Sequence, residues 1–276
     1  MNPKNYRIGT LFAILSALCW SFTGVLGKRM AWDAISILGS RGLIAALFLG
    51  WNRGGFFLKP SKATWLGAFG VVGTSVFYLS ALSLTTAANA IALEYAMPAF
   101  VILLCWMFYH KLPRREEIIT TICVFLGVLL CTIQGMRVGS VGGDLLALAS
   151  GLAFALVFFC SRLPNTKQED YAYLGNLISA LFVIHMFFDP NVGKNPMDWF
   201  YGFLMGLAQT GGYFFFCKAT SRIQPLTAAI TSNIEPVLNP IWVFLFIGET
   251  PGLLSILGAV IVLTTVTIYS IRSANP

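Results

Sequence analysis

Residues 9–20 read GTLFAILSALCW, and residues 143–154 read GDLLALASGLAF, so glycine, leucine, alanine, serine and a final aromatic residue recur in the same order. A second set of small residues and prolines recurs at its own constant spacing. Gly73, Ala81, Ala90, Pro98 and Pro113 correspond in this way to Gly211, Ala219, Ala228, Pro236 and Pro251. Self-similarity at a fixed spacing indicates repeated structural units. The pattern therefore predicts two related halves, residues 1–137 and 138–276.

The composition indicates that these halves lie in lipid. Of the 276 residues, 57% are hydrophobic and 11% are charged, whereas soluble domains carry about 25% charged residues. Apolar stretches of about 20 residues are long enough to cross a bilayer as helices. Ten such stretches are predicted, at residues 8–28, 34–51, 64–84, 89–109, 117–135, 143–162, 171–188, 198–218, 226–247 and 252–271. The expected fold is an all-α membrane protein in which each half contributes five helices.

The orientation follows from the positions of lysine and arginine. Short cytoplasmic loops carry an excess of these residues. If both termini are cytoplasmic, most basic loop residues lie inside, and the outer side carries only Lys28, Arg29, Arg137 and Lys194. The N-terminus, with Lys4 and Arg7 before an apolar run, has the form of a signal peptide. Because the run is long enough to span and has a counterpart in the second half, we interpret it as an uncleaved first span. Five spans in each half then require that the halves have opposite orientations, as in secondary transporters.

Ionisable residues inside membrane spans are costly, and they therefore mark candidate functional sites. Glu94 precedes Pro98 by four residues, so the proline leaves the Glu94 carbonyl without its helical partner. This carbonyl and the carboxylate together suit a cation, an ammonium group or a proton. Two interpretations of Arg41 are open: it binds a substrate carboxylate in a bidentate fork, or it forms a buried ion pair with Glu94. His185 lies near the outer end of its span, beside Asp189, and we expect it to be interfacial.

Glu235 belongs to the densest polar cluster in the predicted spans. It lies directly before Pro236, with Asn233, Asn239 and Pro240 close by. Two prolines in one span predict a kinked or broken helix, which membranes tolerate where the backbone lines a cavity. The cluster is either a substrate site or a hinge whose polar groups satisfy each other. We select Pro98, Pro236 and Pro240 as candidate hinge residues.

Aromatic and amide side chains complete the predicted site. The candidates are Trp20, Phe77, Tyr78, Tyr95, Tyr213 and Gln209. Aromatic faces suit an organic cation or an aromatic substrate group, although any single aromatic residue also fits ordinary packing.

The two halves resemble EamA-type ten-helix carriers of the drug/metabolite transporter superfamily. The residues that carry the resemblance are Gly9, Ala13, Trp20-Ser21, Arg41-Gly42, Pro98, Pro236 and Gly248-Glu249. The chain departs from the family pattern at Lys111, which aligns with Glu249, because such proteins often have glutamate in both halves. The resemblance implies a carrier in a bacterial inner membrane that moves a small organic metabolite by alternating access.

Three kinds of function remain open from the sequence. The first is a secondary carrier or exporter of amino acids or amines, with proton coupling through Glu94 or Glu235. The second is a facilitative carrier of a quaternary amine such as choline. The third is a membrane enzyme or a channel. An enzyme is disfavoured because no Walker loop or G-x-S-x-G motif is present and the two histidines, His110 and His185, lack metal spacing. A channel is disfavoured because a kinked, tightly paired two-fold repeat favours occlusion over an open pore. The six cysteines form no C-x-x-C pair, so we expect no cofactor and no metal. The expected partners are a small-molecule substrate, protons in the coupled mechanism and the lipid bilayer, with no nucleic acid, and the protein is expected as a monomer or homodimer.

Overall fold

The computed structural model describes residues 3–85, 87–110, 112–133, 141–248 and 252–274. Every regular element within these residues is helical. The helices are α1 (Pro3–Lys28), α2 (Ala34–Asn52), α3 (Lys62–Leu82), α4 (Ala87–Glu94), α5 (Met97–Tyr109), α6 (Arg115–Thr132), α7 (Val141–Cys160), α8 (Gln168–Ala180), α9 (Pro196–Thr220), α10 (Pro225–Ser232), α11 (Glu235–Ile247) and α12 (Leu253–Ala274). A 3₁₀ helix, Leu181–Phe187, continues α8.

Seven helical segments in the described part of the chain are long and apolar enough to cross a membrane: Lys4–Gly27, Ala34–Asn52, Lys62–Leu82, Asn89–Tyr109, Val141–Cys160, Gln168–Phe187 and Leu253–Ser273. The three other predicted spans are less apolar or are divided. Helix α6 begins with Arg115, Glu116 and Glu117, and α9 carries Gln209 at its centre. The segment at 226–247 is divided into α10 and α11. The described residues therefore have the all-helical architecture and the apolar helices expected of a membrane protein, and the ten-span count stays a prediction.

Two of the predicted spans are interrupted. The break predicted for residues 226–247 is confirmed, since α10 ends at Ser232 and α11 begins at Glu235. The span at 89–109 is divided in the same way between Glu94 and Met97. Pro98 and Pro236 each lie in the first turn of the helix that follows the break. Proline is suited to this position because the first N–H groups of a helix have no partner within it.

The principal helix contacts connect the two halves of the chain. Helix α1 packs along α9, α7 packs along α3, α2 packs on α8, and α6 packs on α12. Two hydroxyl groups cross the first two of these contacts. Ser16 Oγ donates to the Gly212 carbonyl oxygen at 2.8 Å, and Ser150 Oγ donates to the Thr74 carbonyl oxygen at 2.9 Å. Ser16 and Ser150 occupy the same position in the two repeated stretches, so corresponding residues make corresponding contacts.

Candidate functional site

A cavity of about 520 Å³ lies between α1, α2, α3, α4, α7, α9 and α11, next to both helix breaks. It contains three of the four ionisable residues selected from the sequence, Arg41, Glu94 and Glu235. The other predicted residues that line it are Trp20, Tyr78, Tyr95, Gln209, Tyr213 and Pro236. Charged groups of both signs and aromatic rings therefore surround a single cavity.

Glu94 is held at the contact between α4 and α7. Its carboxyl oxygen Oε1 lies 2.8 Å from Ser150 Oγ, and the side chain is 8% exposed. The next residue of α7, Gly151, allows the close approach, because a Cβ atom there would lie 2.8 Å from the Glu94 carbonyl oxygen. The carbonyl that Pro98 leaves free thus packs against a glycine, and the carboxyl group lines the cavity.

Arg41 does not form the ion pair with Glu94 that one interpretation of the sequence required. Its Nη2 donates to Ser75 Oγ at 2.9 Å, and its Nε is buried without a hydrogen-bond partner. Within the described residues, none of its nitrogens forms a salt bridge with Glu94 or Glu235, although both carboxyl groups are near enough to interact with it electrostatically. The partner that α3 presents to Arg41 is the Ser75 hydroxyl and not a carboxyl group. The guanidinium therefore keeps donors available in the cavity.

Glu235 is the first residue of α11, and it lies at the end of the second break. The Tyr95 side chain lies close to its carboxyl group. Tyr95 belongs to the first break, because it directly follows α4. The two interrupted spans are thus connected by a tyrosine–glutamate contact at the cavity wall.

Edge-on aromatic rings line one end of the cavity. The Trp20 ring centroid lies 5.3 Å from that of Tyr213 and 5.7 Å from that of Phe154. Behind them Phe158 packs edge-on against Phe216 at 5.1 Å, and both of these side chains are buried. Edge-on pairs of this kind are favourable because the positive ring edge meets the negative ring face. The aromatic layer separates the cavity from the α7–α8 connection.

The other end of the cavity extends towards the α1–α2 connection, where Trp32, Ala34 and Ile37 line it. His185, which the sequence placed near this end, lies outside the lining. Its Nδ1 is 3.2 Å from Asp33 Oδ2. Asp189 Oδ2 accepts a hydrogen bond from the Asp33 backbone N–H at 2.8 Å. These contacts attach the α1–α2 connection to the segment that follows α8.

The sequence did not single out the polar residues that form hydrogen bonds with the lining residues, namely Ser75, Ser150 and Asn176. Gln209 Nε2 donates to Asn176 Oδ1 at 3.4 Å, so Asn176 orients the amide of a lining residue. Ser150 could have been selected from the sequence, because it belongs to the repeated stretch. Single serines and asparagines carry little signal otherwise, since they are tolerated in helices for many structural reasons.

Several predicted residues lie elsewhere. Phe77 is 37% exposed and does not line the cavity. Asn233 is buried within the break itself, outside the cavity lining, and its Nδ2 donates to the Ala229 carbonyl oxygen at 3.0 Å. Pro98 begins α5 outside the lining. The side chains of Asn239 and Pro240, and the residues Lys111 and Glu249, lie outside what the structure describes.

A cavity that holds ionisable and aromatic residues between helices of membrane length, with interrupted helices at its wall, is typical of secondary transporters. The EamA-like transporter family matches the chain twice, over residues 7–133 and 141–271. The chain belongs to this family, and it is a transporter and not an enzyme.

The relatives agree with this class. The chain is 26% identical over 267 residues to the pseudopaline exporter CntI of Pseudomonas aeruginosa, with 93% of each chain covered. It is 24% identical to solute carrier family 35 member G1 of Mus musculus, covering 96% of this chain and 78% of that protein. A solved crystal structure with 18% identity superposes with a TM-score of 0.80 over 97% of this chain and 99% of the other, which shows the shared fold.

Proposed function

We propose that the protein is a secondary carrier that moves an amino acid or a closely related zwitterionic metabolite by alternating access. The observation that carries the proposal is the presence of Arg41, Glu94 and Glu235 in one cavity without an ion pair between the arginine and either glutamate. Arg41 offers donors to a carboxylate. Glu235 or Glu94 accepts from an ammonium group, and the rings of Trp20 and Tyr213 pack on the carbon skeleton.

A quaternary amine fits this cavity less well. Two carboxyl groups and several aromatic rings suit a permanent cation. The Arg41 guanidinium would, however, repel such a cation in the same cavity, where screening by water is weak. A zwitterionic substrate can pair with both the guanidinium and a carboxyl group, so we prefer it to a quaternary amine.

Alternating access is supported by the arrangement of the halves. The cavity extends to the α1–α2 connection, and the aromatic layer separates it from the α7–α8 connection. Corresponding helices of residues 1–137 and 138–276 exchange contacts, α1 with α9 and α7 with α3. We infer that these are inverted repeats that rock against each other. With both termini in the cytoplasm of a bacterial cell, the inner membrane is the site of action and this conformation faces outwards.

Proton coupling is supported by the hydrogen bonds of Ser150. Its hydroxyl has one hydrogen and two oxygen neighbours, the Thr74 carbonyl at 2.9 Å and Glu94 Oε1 at 2.8 Å. It donates to only one of them at a time. Both contacts are hydrogen bonds when Glu94 carries a proton and donates to Ser150 Oγ, while Ser150 donates to Thr74. We infer that Glu94 is the group that takes up and releases the proton.

The test is uptake of amino acids and amines into proteoliposomes, with and without an inward proton gradient. We expect amino acid flux that rises with the gradient. Glu235→Gln should weaken apparent affinity by about 10- to 100-fold, because a hydrogen bond to a charged group contributes about 1.5–3 kcal/mol. Glu94→Gln should remove the response to the gradient.

Glu116→Gln is the matched control, since Glu116 is an exposed carboxylate at the start of α6. It should behave as the unmodified protein does. If both cavity variants keep full, gradient-dependent flux, the assignment of the site is wrong. Flux that ignores the gradient and is competed by choline would replace the proposal with a facilitative cation carrier.

A further inference from the structure

A second cavity, of about 380 Å³, lies between α1 and α12 and is separate from the transport site. Its α1 side is formed by residues from Tyr6 to Ile14, and its α12 side by residues from Val266 to Ile271. From Tyr6 to Ile14 the helix rises about 12 Å. The cavity reaches Ile234, at the break between α10 and α11. We call it the α1–α12 crevice.

Three hydroxyl groups in the crevice have no hydrogen-bond partner. They belong to Tyr6, Thr10 and Ser270, and their oxygen atoms are shielded from solvent. The Tyr6 side chain is 5% exposed and that of Thr10 is 8% exposed. The hydroxyls of Thr227 and Ser273 also lie near the Tyr6 oxygen, but none of these groups closes a hydrogen bond of normal geometry with it. Because an unpartnered buried hydroxyl is costly, this cluster is suited to a ligand that supplies acceptors.

The residues that line the crevice indicate the chemical class of this ligand. Arg7 lies at its polar end, is exposed, and adds a cationic donor. Towards the middle of the membrane the lining becomes apolar, and Leu11 and Ile271 are 54% and 60% exposed at its lipid-facing edge. A cationic, hydroxyl-rich end that continues into an apolar groove matches an anionic head group with an acyl chain.

We propose that the α1–α12 crevice binds an anionic phospholipid. On binding, small side-chain rotations turn the hydroxyls of Tyr6, Thr10 and Ser270 into the crevice. The phosphate oxygens accept hydrogen bonds from these hydroxyls and from the Arg7 guanidinium. One acyl chain lies along Leu11, Ile14 and Val266. Because the crevice ends beside Ile234, the bound lipid contacts the break that precedes Glu235. The lipid site stands independently of which solute the carrier moves.

The test measures lipid retention and thermal stability of the purified protein. The protein is exchanged into detergent that contains either dioleoyl-phosphatidylglycerol or dioleoyl-phosphatidylcholine. Bound lipid is then counted by native mass spectrometry, and the apparent Tm is recorded. We expect one tightly retained phosphatidylglycerol and a higher Tm than with phosphatidylcholine. Arg7→Gln and Tyr6→Phe should each reduce retention at least fivefold and remove the difference in Tm.

Arg115→Gln is the matched control, because it removes one exposed positive charge at the start of α6, outside the crevice. It should retain phosphatidylglycerol as the unmodified protein does. Equal retention of the two lipids would overturn the proposal. So would equal losses in Arg7→Gln and Arg115→Gln, which would indicate diffuse surface attraction. Displacement of the lipid by millimolar inorganic phosphate would show a site for free anions instead.

Discussion

At the residue scale, two serines in equivalent positions have different surroundings. Ser16 and Ser150 each donate a hydrogen bond across a helix contact, to Gly212 and Thr74. Gly212 faces the Trp20 ring so closely that a Cβ atom there would overlap the indole. Only Ser150 also lies beside a carboxyl group, that of Glu94. The contact with a carboxyl group therefore distinguishes Ser150 from its counterpart Ser16.

The pair of serines provides an internal control for the proton site. We expect Ser150→Ala and Ser16→Ala to lower the free energy of unfolding by similar amounts, about 0.5–1.5 kcal/mol, because each removes one hydrogen bond. Only Ser150→Ala should change the pH dependence of flux, because it removes a partner of Glu94. Thermal unfolding and proteoliposome uptake over a range of pH measure the two effects. Identical flux profiles for the two variants would contradict the role given to Glu94.

At the scale of the elements, the two interrupted spans determine where the site lies. The breaks place Tyr95 and Glu235 at the cavity wall and bring them into contact. Continuous helices would direct these polar groups along regular faces instead. Because each break is followed by a helix with proline in its first turn, the chain can bend there with little loss of helical hydrogen bonds. We interpret the breaks as hinges.

The hinge role predicts the effect of removing a proline. Pro236→Ala restores a backbone N–H and allows α10 to continue into α11. We expect the maximal transport rate to fall about tenfold, equivalent to ~1.4 kcal/mol in the barrier, while apparent affinity changes little. Pro196→Ala is the control, since Pro196 begins α9 in an exposed position away from the cavity. If the two variants have the same rate, Pro236 is not part of a hinge.

At the scale of the whole molecule, contacts at the mouth of the cavity join the two halves. Asp189 is 5% exposed and accepts backbone hydrogen bonds from Asp33 at 2.8 Å and from Asn191 at 2.9 Å. Burial by itself raises the pKa of Asp189, but these hydrogen bonds and the nearby His185 together bring that pKa below its usual value of 3.8. The ionised carboxylate is therefore stabilised in the folded protein.

A depressed pKa in the folded state determines the sign of the pH effect. The stabilisation by Asp189 is fully present above about pH 3.8, the ordinary pKa, and is lost as the pH falls through the lower folded-state pKa. Asp189→Asn keeps one acceptor oxygen for two N–H groups, so it should lower the Tm at neutral pH. The difference from the unmodified protein should shrink in strong acid. Thermal unfolding between pH 2 and 8 checks this, with Glu116→Gln as the control for loss of an exposed charge.

The sequence by itself determined the class of architecture and most of the candidate residues. Apolar stretches of membrane length, a repeated pattern and prolines inside spans are local signals, because they follow from what lipid and helical hydrogen bonding require. Charged residues inside spans are rare enough that Arg41, Glu94 and Glu235 stood out without a structure.

Only the tertiary structure decided which of these residues meet and which do not. It brought Arg41 to Ser75 instead of to Glu94, left Phe77 outside the cavity, and added Ser150 and Asn176 as partners of lining residues. Contacts of this kind depend on how far each helix is rotated and shifted against its neighbours. Packing between distant parts of the chain determines that geometry, and the local pattern of hydrophobic and polar residues does not encode it.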